Sequence, residues 1–388
     1  LAHPPARDGH LIDEGLEISR VLAMTQPTTP PAPAGSPHAR GLGTGSGSVL
    51  RDGLDARLPQ SLVDLHIHVG GAVAPHILYS IAMDQGFKLP TKGYWEFVEL
   101  ITIRPGTTHS LDDYLKVMHE WTERIQSSPA AMERAVYEII GKEYRSSRVD
   151  HIELRFNPMK RNQSGQRDLD HIIHAALRGM DLAVLEYGVK ACLIFCLARE
   201  FSYELNEIMV EKAIKYQSRG VLGIDLAGPE SHNLELRLKE AQRYEKLFAR
   251  ARAAGLKITV HTGETSHTSG EGVLAALRYL KPHRIGHGIR AAYNDEALDR
   301  LADSGVVLEL CPSSNLATKA VKDLAEFGFV LSKFKERKIP FTINTDGPYL
   351  LDTSLAKECT LLLDAGILTP EELAQTFEVA RQASFIPG

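Results

Sequence analysis

Four short stretches of this chain carry residue types that could do chemistry together. His66-Ile-His68 closes a β-prone run, and His261 and Glu264 share the stretch His-Thr-Gly-Glu. His287 sits between glycines in Arg-Ile-Gly-His-Gly-Ile, and Asp346 ends Pro-Phe-Thr-Ile-Asn-Thr-Asp before a Gly-Pro pair. Residues two apart on a strand point to one face, so His66 and His68 would present both rings together. Three neutral imidazoles and one carboxylate, here His66, His68, His261 and Asp346, form a ligand set suited to Zn²⁺ with a position left for water. Such an ion lowers the pKa of its water toward about 7. Glu264 and His287 are then left as proton carrier and orienting base, the pair that hydrolysis at an unsaturated carbon needs.

Taken singly, each residue has a plainer explanation. A His-x-His is commonly incidental, His261 could be a hydrogen-bonded core residue, and Glu264 a solvated loop charge. Asp346 before Gly-Pro could start a turn, and His287 could lie between glycines because the backbone packs closely. Position joins them, because each stands at the end of a β-prone run.

Eight such runs recur after residue 60: 61–68, 149–156, 189–198, 221–227, 257–264, 283–288, 306–312 and 340–346. Helical patterns separate them, among them 169–188 and 233–255, the latter ending on a glycine. Strands alternating with helices imply parallel pairing. Eight units predict an α/β fold, a TIM (β/α)8 barrel with a helical insertion after the first strand. A doubly wound sheet is the alternative, but no GxGxxG follows the first strand. In a barrel the C-terminal strand ends converge on one site, which is where the candidate residues fall. The insertion carries Trp95, Phe97, Tyr114 and Trp121, with Ser110 and Asp113 placed as a helix cap. An apolar lid over the site and additional outer packing both remain open.

The chain has 388 residues, 43% hydrophobic and 24% charged, with a formal net charge of −5. No long basic run points to nucleic acid, and no apolar run is long enough to span a bilayer. Cys192, Cys196, Cys311 and Cys359 form no CxxC pair, which favours a reducing, cytoplasmic setting. Cys311 has no partner base and is not expected to act as a nucleophile. The stretch 25–48 is rich in Pro, Gly, Ser and Thr, so residues 1–57 are expected to be a disordered extension and 58–388 the barrel domain. The fourth run offers no Lys or Cys to bridge a second metal, so one zinc per chain is expected. The HxE with PCxxC signature of the zinc cytidine deaminases is absent.

The motifs together resemble the adenosine deaminase family of the metal-dependent amidohydrolase superfamily. They are "VDLHIHVGGAV" (63–73), "GIDLAGPE" (223–230), "TVHTGE" (259–264), "RIGHGI" (284–289), "ELCPSSN" (309–315) and "NTDGP" (344–348), in family order. The resemblance implies a small-molecule purine substrate, an adenosine-like 6-aminopurine nucleoside converted to the 6-oxo product and ammonia. Adenine or another amino-heterocycle, and a catalytically silent binding protein on the same fold, are the alternatives. It implies that His66, His68, His261 and Asp346 hold zinc, that Glu264 protonates the ring nitrogen, and that His287 and Asp346 orient the attacking hydroxide. Gly228 would approach the purine ring. Gly70 and Gly347 stand where members usually carry polar residues that contact substrate. By that comparison adenosine loses two contacts here and is expected to be accepted weakly, a better substrate lacking those contacts or carrying a larger group into the room beside Gly70.

Overall fold

Eight strands, all parallel, run in sequence order around one sheet: β1 (Leu62–His68), β2 (Val149–Phe156), β3 (Lys190–Ala198), β4 (Val221–Ala227), β5 (Lys257–Thr262), β6 (Arg284–His287), β7 (Val307–Leu310) and β8 (Phe341–Ile343). A parallel bridge between Ile67 and Asp346 closes the circle. Asp346 N–H donates to His66 O (2.8 Å) and His68 N–H to Asp346 O (2.7 Å). The computed structural model describes residues 55–104, 107–162 and 168–388. The expectation of disorder over 1–57 therefore lies outside the described residues, apart from 55–57. There Arg57 pairs with Asp55 and reaches Asp364 at 2.6 Å.

The strands are buried on both faces, which is why they read as near-continuous apolar runs. They begin within a residue of the expected positions but end two or three residues earlier in three cases. β5 stops at Thr262, β7 at Leu310 and β8 at Ile343. Beyond those points the backbone leaves the ladder to aim side chains into the mouth of the barrel. Pro312 already starts the helix Pro312–Ala317, and Asp346 takes a left-handed φ of 64°.

The helix Leu169–Tyr187 ends on Gly188, at φ 65°. The helix expected over 233–255 is shorter, Leu238–Ala253, preceded by a 3-10 turn at Leu234–Leu236. Glu235 in that turn is buried and paired with Arg199 at 2.7 Å, which holds the turn off the helix axis.

The insertion divides the two readings between its parts. Its helix Tyr94–Ile101 packs outside, with Phe97 buried against Tyr79 and Trp95 left exposed. The helix Leu111–Val117 starts on Ser110, whose Oγ accepts Asp113 N–H (3.1 Å), and continues through a π-turn at Met118–Thr122 into Glu123–Ile125. Tyr114 and Met118 form a small second core with Ile103 and Leu350. This segment covers the C-terminal mouth of the barrel.

Candidate active site

Inside the barrel the strands carry buried charges where apolar residues would be expected. Glu309 on β7 accepts from Arg155 Nη2 (2.8 Å) through Oε2, and from Arg284 Nε (2.5 Å) and Thr259 Oγ1 (3.0 Å) through Oε1. Arg155 also donates to Asp225 on β4 (3.1 Å). Burial works against the charged carboxylate of Glu309, but the two arginines prevail and hold it down to about 2. Asp225 is likewise held well below the usual carboxylate range, burial being overcome by His261 and Arg155.

These acids orient the histidines. His66 Nδ1–H donates to Glu309 Oε2 (2.7 Å) and His261 Nδ1–H to Asp225 Oδ1 (3.0 Å), because an ionised carboxylate can only accept. Each ring then turns an Nε2 lone pair into the mouth. His66 Nε2 is buried without a hydrogen-bond partner. His68 Nε2 lies 3.1 Å from His261 Nε2 and 3.6 Å from Asp346 Oδ1. Burial and neighbouring cationic groups press the pKa values of His66 and His68 well below the ordinary imidazole range, so both rings stay neutral. Converging lone pairs, an orphaned buried nitrogen and a carboxylate fit a metal ion, and donor atoms of His66, His68 and Asp346 lie within 4.8 Å of one another. Cys311 lies near His287 and Asp346, but burial raises its thiol pKa and its Sγ–H points at Glu309 O (3.8 Å).

Glu264 and His287 face this cluster. Glu264 follows β5 on a loop that Glu230 fixes by accepting from the N–H groups of Glu264 (3.0 Å) and Thr265 (2.6 Å). Its Oε1 is buried and unpartnered, and its Oε2 is 3.6 Å from His287 Nε2. Burial, then the negative charges of Glu230 and Asp346, raise its pKa well above the usual carboxyl value. The His287 pKa is pushed down to about 3, chiefly by burial. The amide nitrogen of Asn315 lies 3.0 Å from His287 Nδ1 and can only donate, so the neutral ring carries its proton on Nε2. Ser314 Oγ–H donates to Asp346 Oδ2 (2.6 Å). His287 and Asp346 both sit at positive φ, 63° and 64°, a costly backbone for residues with side chains.

Of the glycines, Gly70 differs from expectation in its surroundings. Gly70 and Gly228 line the cavity with His68, His261, Glu264 and Asp346. The space beside Gly70 is filled, since an added Cβ would meet Met118 Cγ at 2.9 Å and Glu123 Cγ at 3.1 Å. Gly228 has φ 95° and a Cβ there would strike the Glu200 carboxylate, so its own backbone conformation requires glycine. A Cβ on Gly347 would strike the hydroxyl of Tyr114, which reaches in from the insertion. Asp225, Glu309, Arg155 and Asn315 do not stand out for the site in the sequence, and Tyr114 does so only as one of the insertion's aromatics. The available signal was a charge inside an apolar strand, as in "GIDLA", "VVLELC" and "HIELRF".

Comparison with known proteins adds a common theme. Residues 61–388 match the family model described as adenosine deaminase. The chain is 31% identical over 324 residues to an adenosine deaminase from Enterococcus faecalis, covering 84% of this chain and 91% of the relative. Its fold is similar to that of an adenine deaminase from Arthrobacter aurescens, with a TM-score of 0.73 at 21% identity over 84% of this chain and 94% of that one. It is also similar to an Arabidopsis N6-mAMP deaminase, with a TM-score of 0.68 at 22% identity over 84% and 94% of the two chains. No helix among the described residues is long and apolar enough to cross a membrane.

Proposed function

The chain belongs to the adenosine deaminase family of hydrolytic deaminases, and on that premise we propose that it deaminates a 6-aminopurine nucleoside. Water enters, ammonia leaves, and the 6-oxopurine nucleoside is the product. One zinc ion per chain, held by His66, His68, His261 and Asp346, would supply a Lewis acid that makes water a nucleophile near neutral pH.

The observation that carries this reading is Glu264. A buried carboxyl with a raised pKa and an unpartnered oxygen is a proton donor held for a ligand. It would protonate the ring nitrogen beside the amino-bearing carbon, which makes that carbon electrophilic. His287 acts here as an orienting donor, because its pKa of about 3 disfavours proton uptake and its proton lies on Nε2. That N–H would hold the attacking oxygen in place, and Asp346 would accept a hydrogen bond from it. Asn315 and Ser314 keep the two side chains in those orientations. Gly228 lets the chain after β4 form the cavity wall beside the ring.

The outer cavity supports a nucleoside over a nucleotide. Lys160 and Arg161 line it, but Lys160 pairs with Glu200 and Arg161 with Glu123, each at 2.6 Å. Burial opposes ionisation of Glu123, yet Arg161, His119 and Lys160 hold its pKa at about 2. Balanced charges of this kind suit uncharged hydroxyl groups better than a phosphate. Ammonia release measured with adenosine, adenine and AMP tests the reading. It expects adenosine to give the highest kcat/KM. Release from adenine or AMP at least equal to adenosine would reject the nucleoside assignment, and no release from any of them would reject the reaction.

A further inference from the structure

Tyr114 has no assigned task in the chemistry above, yet it is placed as though it had one. It is 2% exposed, lines the same cavity as His68, Glu264 and Asp346, and its Oη has no hydrogen-bond partner. Leaving a hydroxyl buried and unpaired is unfavourable, and a phenylalanine of the same shape would avoid that cost. The hydroxyl also occupies the space where a side chain on Gly347 would begin, so the glycine directly after Asp346 makes room for it.

We propose that the Tyr114 hydroxyl is a substrate-binding group that donates a hydrogen bond to the bare ring nitrogen of the purine's five-membered ring. The proposal rests on the 6-aminopurine reading above. The edge follows from the barrel. Glu264 follows the end of β5, whereas Gly347 follows Asp346, which bridges the chain after β8 to β1 at the far side of the eight-stranded circle. With the amino-bearing carbon at the histidine cluster, a ring lying between these sides offers Glu264 its six-membered-ring nitrogen. The opposite edge then faces Tyr114, and there the purine carries an acceptor. Burial, then the charge of Asp346, keeps the phenol protonated, hence a donor.

The test compares the binding of inosine and 7-deazainosine, in which C–H replaces that nitrogen, to the zinc-loaded wild type and Tyr114→Phe. Wild type should bind inosine about 10-fold more tightly than 7-deazainosine. Tyr114→Phe should erase that gap by weakening inosine alone, with metal content retained and Tm unchanged or raised. Equal binding of both ligands to wild type, no binding of either, or equal weakening of both by Tyr114→Phe would overturn the proposal. Should the variant fail to fold, Gly347→Ala, whose new methyl group displaces the Tyr114 hydroxyl, should narrow the same gap, and an unchanged gap there would overturn the proposal. Ammonia release from adenosine by wild type reports on the reaction separately, so a gap without turnover would reject the deaminase reading and keep this one.

Discussion

His66 Nδ1 lies 2.7 Å from Glu309 Oε2, and that same oxygen accepts from Arg155 Nη2 at 2.8 Å. The buried acid therefore ties a candidate metal ligand on β1 to a cation on β2 through β7. Charges that looked like defects in apolar strands are the framework that turns Nε2 of His66 toward the cluster.

Glu309→Gln should weaken metal binding about 10- to 100-fold, because a neutral amide no longer fixes the His66 tautomer. Chelator titration with a metal indicator checks this. Unchanged affinity would show that Glu309 serves only to neutralise Arg155 and Arg284.

The barrel was legible because buried parallel strands leave short apolar runs, and because a polar residue at the end of such a run stands out. His66, His68, His261, Glu264, His287 and Asp346 all carried that mark, and the fold brings them together. Asp225 and Glu309 carried a fainter one, a single acid inside an otherwise apolar run. Tyr114 carried only its place among the insertion's aromatics, which fits a lid and outer packing equally. Its meeting with Gly347 depends on how the insertion folds back over the barrel, which local pattern does not encode. For the same reason the emptiness expected beside Gly70 was misleading, as Met118 and Glu123 arrive from the same segment.

Acid should destabilise the metal-free protein through His287. Its folded pKa is about 3, against an ordinary value of 6.5. Between those limits the unfolded chain binds the extra proton, so stability rises with pH and is lost as pH falls from about 6.5 toward 3. Urea unfolding of metal-stripped protein should show a slope reduced by up to about 1.4 kcal/mol per pH unit in His287→Asn across that window. An unaltered slope would show that His287 is not held neutral.

Gly347→Ala should destabilise the fold by about 1–3 kcal/mol, because the new methyl group overlaps the Tyr114 hydroxyl. Tyr114→Phe in the same chain should restore most of that loss by removing the overlapping atom. A double-mutant cycle read by denaturant unfolding would give a coupling of about 1 kcal/mol or more. Strict additivity would mean that the two residues do not share this space.

Glu264 tests the chemistry itself. The measurement is the rate of ammonia release from adenosine by Glu264→Gln, made on protein whose bound metal has been quantified in the same sample. The account predicts metal content equal to wild type, because Glu264 is not among the proposed ligands, with turnover lowered by about 100-fold or more. Turnover near the wild-type rate would contradict its role as the proton donor, and loss of the metal would contradict its exclusion from the ligand set.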